Sequence, residues 1–143
     1  MDAVRTMVPV YLATAKGSTK YKVDISLSTI VSDGNSSQTS KKEYLAELDT
    51  GAAPVIVRRA ALPEGVRIHQ LDEPPLLVDA QRKALSIAGV VKAVIQMGRG
   101  AYRVAALVAD DLSVDVILGT QFIDSHVQLI NARRRSVTMD GGD

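Results

Sequence analysis

The residue best placed to do chemistry is Asp49, in the run Leu48-Asp49-Thr50-Gly51-Ala52. A carboxylate at the end of an apolar strand sits on a defined loop and presents its charge at a fixed point, as acid–base work demands. Gly51 lets the chain turn tightly where a Cβ would clash. The Thr50 hydroxyl can hydrogen-bond backbone groups and hold that loop. Taken alone, the same tripeptide is also an ordinary turn between strands. Glu47 lies two residues earlier on the same strand, so strand alternation points it to the face of Asp49. A buried carboxylate there needs a partner. Two readings are open: an ion pair with an Arg such as Arg99 or Arg103, or a carboxylate that reaches into a pocket beside Asp49 and favours a Lys, Arg or hydrogen-bonding side chain.

Other chemistries are poorly served. The 143-residue chain has no cysteine, which excludes disulfides, thiol catalysis and zinc-thiolate sites. His69 and His126 are far apart and lack metal-ligand spacing, so no metal and no cofactor is expected. Asp110, Asp111 and Asp115 read as turn and strand-start residues, not as a second acid pair. Arg133-Arg134-Arg135 reads as a solvated hairpin turn, with a nucleic-acid grip or a processing site as the alternatives. Asn35-Ser36-Ser37 matches a glycosylation acceptor, by chance in a Ser-rich loop. A net charge of +1 gives no strong pull toward nucleic acid or membrane. Four Tyr, one Phe and no Trp leave few platforms for stacking bases, so no nucleic-acid partner is expected. No apolar run approaches the roughly 20 residues of a membrane span. Met7 to Leu12 is too short for a signal-peptide core and contains a proline. An intracellular location is therefore expected, with no membrane partner.

The elements that must position Asp49 are short strands between polar or Gly/Pro turns. Tyr21 to Ser28 alternates with period two, as a half-buried strand does. Residues 32–42 read as a mobile loop with Asp33-Gly34-Asn35 as its turn signal. Glu43 to Leu48 is a strand running into Asp49, and Val55-Ile56-Val57 is the next one. Arg58 to Leu62 reads as one helical turn closed by Pro63-Glu64-Gly65. Leu76-Leu77-Val78 and Ala84 to Met97 read as two arms around 79–83. Tyr102 to Ala109 is a strand with Tyr102, Val104, Ala106 and Val108 on one face. Val114 to Leu118 is a buried strand ending at Gly119, before a short helix over Thr120 to Asp124. Val127 to Ile130 and Ser136 to Met139 form a last hairpin, and residues 140–143 a frayed tail. With 46% apolar residues, no repeat and no linker, the chain reads as one mainly-β domain over 1–143 with one or two short helices.

The ordered set Leu48-Asp49-Thr50-Gly51-Ala52, Val55-Ile56-Val57, Ile87-Ala88-Gly89 and Val116-Ile117-Leu118-Gly119 before Thr120-Gln121-Phe122-Ile123 resembles the retropepsin family. These are the aspartic proteases of retroviruses and LTR retrotransposons. The resemblance runs from about Val8 to Met139, and its flavour is closer to gypsy-class retrotransposon proteases than to lentiviral ones. Retroviral members commonly pair an acidic residue after Asp-Thr-Gly-Ala with an Arg after the late Gly. Here those positions are Ala53 and Thr120, so both partners are absent together and no unpaired charge remains. The family's Gly-rich flap corresponds to Leu77 to Leu85, which has no glycine, with Ala80 taken as its tip.

The resemblance implies an all-β, half-barrel acid-protease subunit that closes as a symmetric homodimer. Pepsin-like enzymes carry two Asp-Thr/Ser-Gly motifs in a chain about twice as long; this one has a single motif. Two-fold pairing would supply the second Asp49. Two carboxyls roughly 3 Å apart share a proton. The ionised one takes a proton from water, and the other polarises the scissile carbonyl. Asp49, Thr50 and Gly51 are thus the implied catalytic residues. The implied substrate is an extended polypeptide, such as a retroelement polyprotein, touching Ala52, Ala53, Ile56, Ala80, Ile117 and Glu47. Ile56 and Ile117 equally suit a plain core role. The implied interface involves Val8 to Leu12 and Val137 to Met139. A cellular or domesticated protease of this kind, or a non-catalytic module that kept the fold, would share most of these features.

Overall fold

A computed structural model describes residues 6–15, 18–78 and 83–140. The strands among them are β1 (Thr6–Ala15), β2 (Ser18–Asp33), β3 (Ser36–Leu48), β4 (Ile56–Arg58), β5 (Ile87–Met97), β6 (Gly100–Ala109), β7 (Val116–Leu118), β8 (Val127–Asn131) and β9 (Ser136–Met139). A single 3-10 turn, Arg59–Ala61, follows β4, and the helix α1 (Thr120–His126) follows β7. The strands are rich in Val, Ile and Thr, whose branched Cβ suits a pleated, half-buried surface.

Six strands close on themselves in the order β3-β7-β4-β6-β5-β2, with β2 pairing back to β3. Strand β2 makes this closure possible by its length. It pairs with β3 along most of its course, with β5 through Ser26–Thr29, and with β1 through its first residues. Beyond the ring the sheet runs on through β1, β9 and β8. Alternate residues fill the interior: Val23, Ile25 and Leu27 from β2, Tyr44, Ala46 and Leu48 from β3, Val57 from β4, and Val116 and Leu118 from β7. Tyr102, Ala106 and Val108 of β6 are fully buried, Val104 is partly so, and all four share a face as the alternation demands. Each large apolar side chain withdrawn from water in this way contributes about 1.5–3 kcal/mol.

One stretch departs from the sequence expectation. Residues 32–42 are not a loop: β2 runs on to Asp33, Gly34 and Asn35 make a two-residue turn, and β3 starts at Ser36. The register is unbroken from Asp33↔Ser36 to Tyr21↔Leu48. Gly34 takes φ +61°, the left-handed value a tight hairpin turn requires. The distal hairpin is polar because most of its side chains are exposed, so low hydrophobicity there reflects a solvated ribbon and not a missing strand. The 3-10 turn and the helix fall where expected, with α1 two residues longer at its C-terminus. The two arms expected around 79–83 meet at an isolated Val78↔Ala84 bridge, with Leu85 N–H donating to Leu77 C=O at 2.8 Å. Regular pairing of the second arm starts only at Ile87.

The terminal strands are engaged within the chain. Thr6–Pro9 pair with Ser136–Met139, and β9 has β8 on its other side. Both edges of β9 are thus occupied, and β8 is the outermost strand.

Candidate active site

Asp49 follows the last residue of β3. Its N–H donates to Leu118 C=O at 3.0 Å, which ties the start of the loop to the parallel strand β7. The Gly51 N–H donates to Asp49 Oδ1 at 2.8 Å, and the Ala52 N–H donates to Asp49 C=O at 3.2 Å. A Cβ on Gly51 would lie 3.2 Å from Asp49 Oδ1, so a larger residue would crowd the carboxylate it now holds. Thr50 is exposed, and its hydroxyl has no hydrogen-bond partner among the described residues. Contrary to the expectation for Thr50, it is backbone N–H groups that hold the loop within a single chain.

The far side of the loop is clamped by α1. Thr120 N–H and Gln121 N–H donate to the Ala52 and Ala53 carbonyls at 2.8 and 2.9 Å. Gly119, buried at the helix start, makes the approach possible: a Cβ there would lie 2.4–2.7 Å from the carbonyl oxygens of Pro54, Ala53 and Ala52. The Asp49 loop is therefore fixed at both ends, by β7 and by the first turn of α1.

One row of the sheet forms the floor beside Asp49. The register sets Lys22 opposite Glu47, Glu47 opposite Ile117, Ile117 opposite Ile56, and Ile56 opposite Leu107. Directly opposed residues share a face. The next residues along, Val23, Ala46, Val116, Val57 and Val108, are all buried in the main core on the other face. The floor is half apolar and half charged. Ile56 and Ile117 pack with Leu85, Ala109 and Leu112 into a second cluster, with Ala52, Leu77, Ile87 and Val114 against it. The charged half holds two ion pairs. Lys22 Nζ is 3.0 Å from Glu47 Oε1, with side chains 15% and 13% exposed. Lys20 Nζ is 3.5 Å from Asp49 Oδ1.

These residues enclose a cleft of about 770 Å³, lined by Asp49, Gly51, Ala52, Ala53, Ile56, Ile117 and Glu47 among others. All the expected site residues among those described thus come together except Thr50, which is not part of the lining. Ala80 lies outside the described residues. Ile56 and Ile117 are at once buried and part of the cleft wall. Leu76, Leu77 and Val78 also line it. The partner of Glu47 is corrected: it is Lys22, on the neighbouring strand, not Arg99 or Arg103. Lys20 and Lys22 were missed in the sequence. Their signal was the two-residue Gly34-Asn35 turn, which fixes the hairpin register and so sets Lys22 against Glu47.

Asp110, Asp111 and Asp115 each have a local partner, and Asp111 also lines the cleft. Asp115 pairs with Arg58. Asp110 pairs with Arg59 at 3.3 Å. Asp111 accepts the Ser86 N–H at 3.0 Å. Arg133, Arg134 and Arg135 are exposed in the β8–β9 turn. Among the described residues no group of three or more His, Cys, Asp or Glu gathers as a metal would require, and no helix is long and apolar enough to cross a membrane.

No protein-family model matches the chain, and no curated protein is similar to it in sequence. Among solved structures, the crystal structure of a retropepsin-like aspartic protease from Rickettsia conorii is similar, with a TM-score of 0.50 and 12% sequence identity. The match covers 97% of this chain and 91% of that one. At that identity the likeness shows the fold: an all-β, retropepsin-like chain.

Proposed function

We propose that the chain is an aspartic endopeptidase that works as a homodimer, with Asp49 from each copy forming the dyad. The observation that carries this reading is the posture of Asp49. Its carboxylate is held by the Gly51 N–H on a loop clamped at both ends, on the floor of a cleft walled by the strand row and the first flap arm. A single carboxyl cannot both activate water and polarise the scissile carbonyl. A second copy related by a two-fold axis beside Asp49 supplies the other. The exposed, unpartnered Thr50 hydroxyl is then available to bond across that axis. Each turnover takes a proton from water to the ionised carboxyl, polarises the carbonyl with the protonated one, and returns a proton to the leaving amine.

The substrate in this reading is an extended polypeptide laid between flap and floor. Its backbone meets strand-like partners, and its side chains meet Ala52, Ala53, Ile56, Ile117 and Glu47. We assign the substrate to the polyprotein of a retroelement on the strength of the motif resemblance; a reverse transcriptase encoded alongside is the observation that would uphold this origin. The assignment of activity is tested by peptide cleavage with wild type and Asp49→Asn. The variant is expected to keep its fold and its pairing and to lose cleavage; an Asp49→Asn protein that still cleaves would remove Asp49 from the mechanism.

A further inference from the structure

The charged half of the cleft floor has a definite chemistry. Lys22 and Glu47 are direct cross-strand partners, mostly withdrawn from water, and compensate each other. They line the same cleft as Asp49, and Glu47, next to last in β3, precedes it by two residues. Next along the row come Ile117 and Ile56, where the apolar half begins. A substrate side chain settling over the ion pair displaces the water that still reaches it. An aliphatic side chain returns nothing for that lost hydration. A carboxylate gains Lys22 but meets Glu47, and an ammonium or guanidinium gains Glu47 but meets Lys22. A carboxamide carries an acceptor and two donors on one planar group, so its C=O can take a hydrogen bond from Lys22 while its NH₂ donates to Glu47.

We propose that Lys22 and Glu47 form a specificity subsite for a neutral carboxamide side chain, Asn or Gln, beside the bond cut at Asp49. This rests on the endopeptidase reading and refines it: the apolar half takes an aliphatic or aromatic side chain, and the charged half takes an amide. Glu47 alone would have selected a cation. The compensating Lys22 removes that preference and leaves hydrogen bonding as the discriminator.

The test uses a peptide set varied only at the two residues flanking the cut, cleaved by wild type, by Lys22→Met/Glu47→Leu and by the exchanged pair Lys22→Glu/Glu47→Lys. In parallel, the same peptides with a reduced, non-cleavable bond are measured for binding to Asp49→Asn. Wild type is expected to prefer Gln or Asn over Leu by about tenfold, as roughly one net hydrogen bond supplies. The apolar double variant is expected to turn toward Leu and Phe. The exchanged pair is expected to keep the amide preference, which a merely structural ion pair would not set. Preference of wild type for Leu or for a charged residue overturns the proposal, as does an unchanged ranking in the apolar double variant. If wild type cleaves nothing while Asp49→Asn binds amide peptides best, the endopeptidase reading fails and the subsite stands. If neither cleavage nor ranked binding is seen, both fail.

Discussion

Asp49 was legible from local sequence because its chemistry is local: strand end, hydroxyl residue and glycine are adjacent in the chain. The cations facing the same cleft were not. Lys20 and Lys22 reach Asp49 and Glu47 only through the pairing of β2 with β3, across intervals of 29 and 25 residues set by the Gly34-Asn35 turn. A polar segment with the signals of a loop carries no visible register, so its polar pattern does not disclose Lys22 set against Glu47. The ion pair makes a prediction of its own. Lys22→Met leaves Glu47 with no cation at 13% exposure, and is expected to destabilise the fold by about 1–3 kcal/mol. Lys22→Met/Glu47→Leu is expected to cost less than the two single changes added together, because it leaves no orphaned charge. Urea unfolding of the four proteins measures this coupling; simple additivity would contradict it.

Most strands were readable from period-two alternation, and α1 from the Gly119 boundary. The exception, 32–42, shows why the rest was not: alternation marks strands with one buried face, and a ribbon solvated on both faces has none to mark. The short elements around Asp49 have tight tolerances. Gly119→Ala places a methyl within 2.7 Å of three carbonyl oxygens, which must move for the helix start to remain. Overpacking of this kind costs about 1–3 kcal/mol, and the displaced groups are the Ala52–Pro54 backbone beside Asp49. The expected result is a lower melting point together with a loss of cleavage out of proportion to the fraction unfolded. A variant that is destabilised yet fully active when folded would separate the clamp from the site. The terminal strands make a different prediction. Val137 and Met139 are fully buried and β9 lies between two strands of its own chain, so removing the last seven residues is expected to unfold the protein and not merely to separate copies. Circular dichroism of the truncated chain distinguishes the outcomes. Met7 and Leu129 flank Thr138 in one row and are 60% and 56% exposed, an apolar strip on the outer sheet. Leu129→Arg is expected to weaken pairing in sedimentation while leaving the fold intact.

The molecule as a whole is a closed ring of strands whose sheet runs on through β1, β9 and β8. Its stability at alkaline pH is set in part by two buried tyrosines. Tyr44 donates to Ala61 C=O at 2.6 Å and Tyr102 to Asp140 C=O at 2.7 Å. Burial raises both hydroxyls above the ordinary value of 10.0, with Asp115 adding to the effect at Tyr44 and Asp140 at Tyr102. The folded state therefore holds these protons more tightly than the unfolded chain. Their contribution is intact below about pH 10 and is lost as pH rises from there through the folded values. A melting point that falls above about pH 10, and falls less steeply in Tyr44→Phe and Tyr102→Phe, is the expected result. A flat profile to pH 12 would contradict it.

The central claim is that one active site needs Asp49 from two chains. It is tested by mixing wild type with Asp49→Asn at constant total concentration, allowing the copies to exchange, and measuring cleavage against the wild-type fraction. If mixed dimers form freely and are inactive, the rate follows the square of that fraction, so an equal mixture keeps about a quarter of the wild-type rate. A rate that falls in simple proportion, leaving about half, would mean that each chain cleaves on its own, and would contradict the shared dyad.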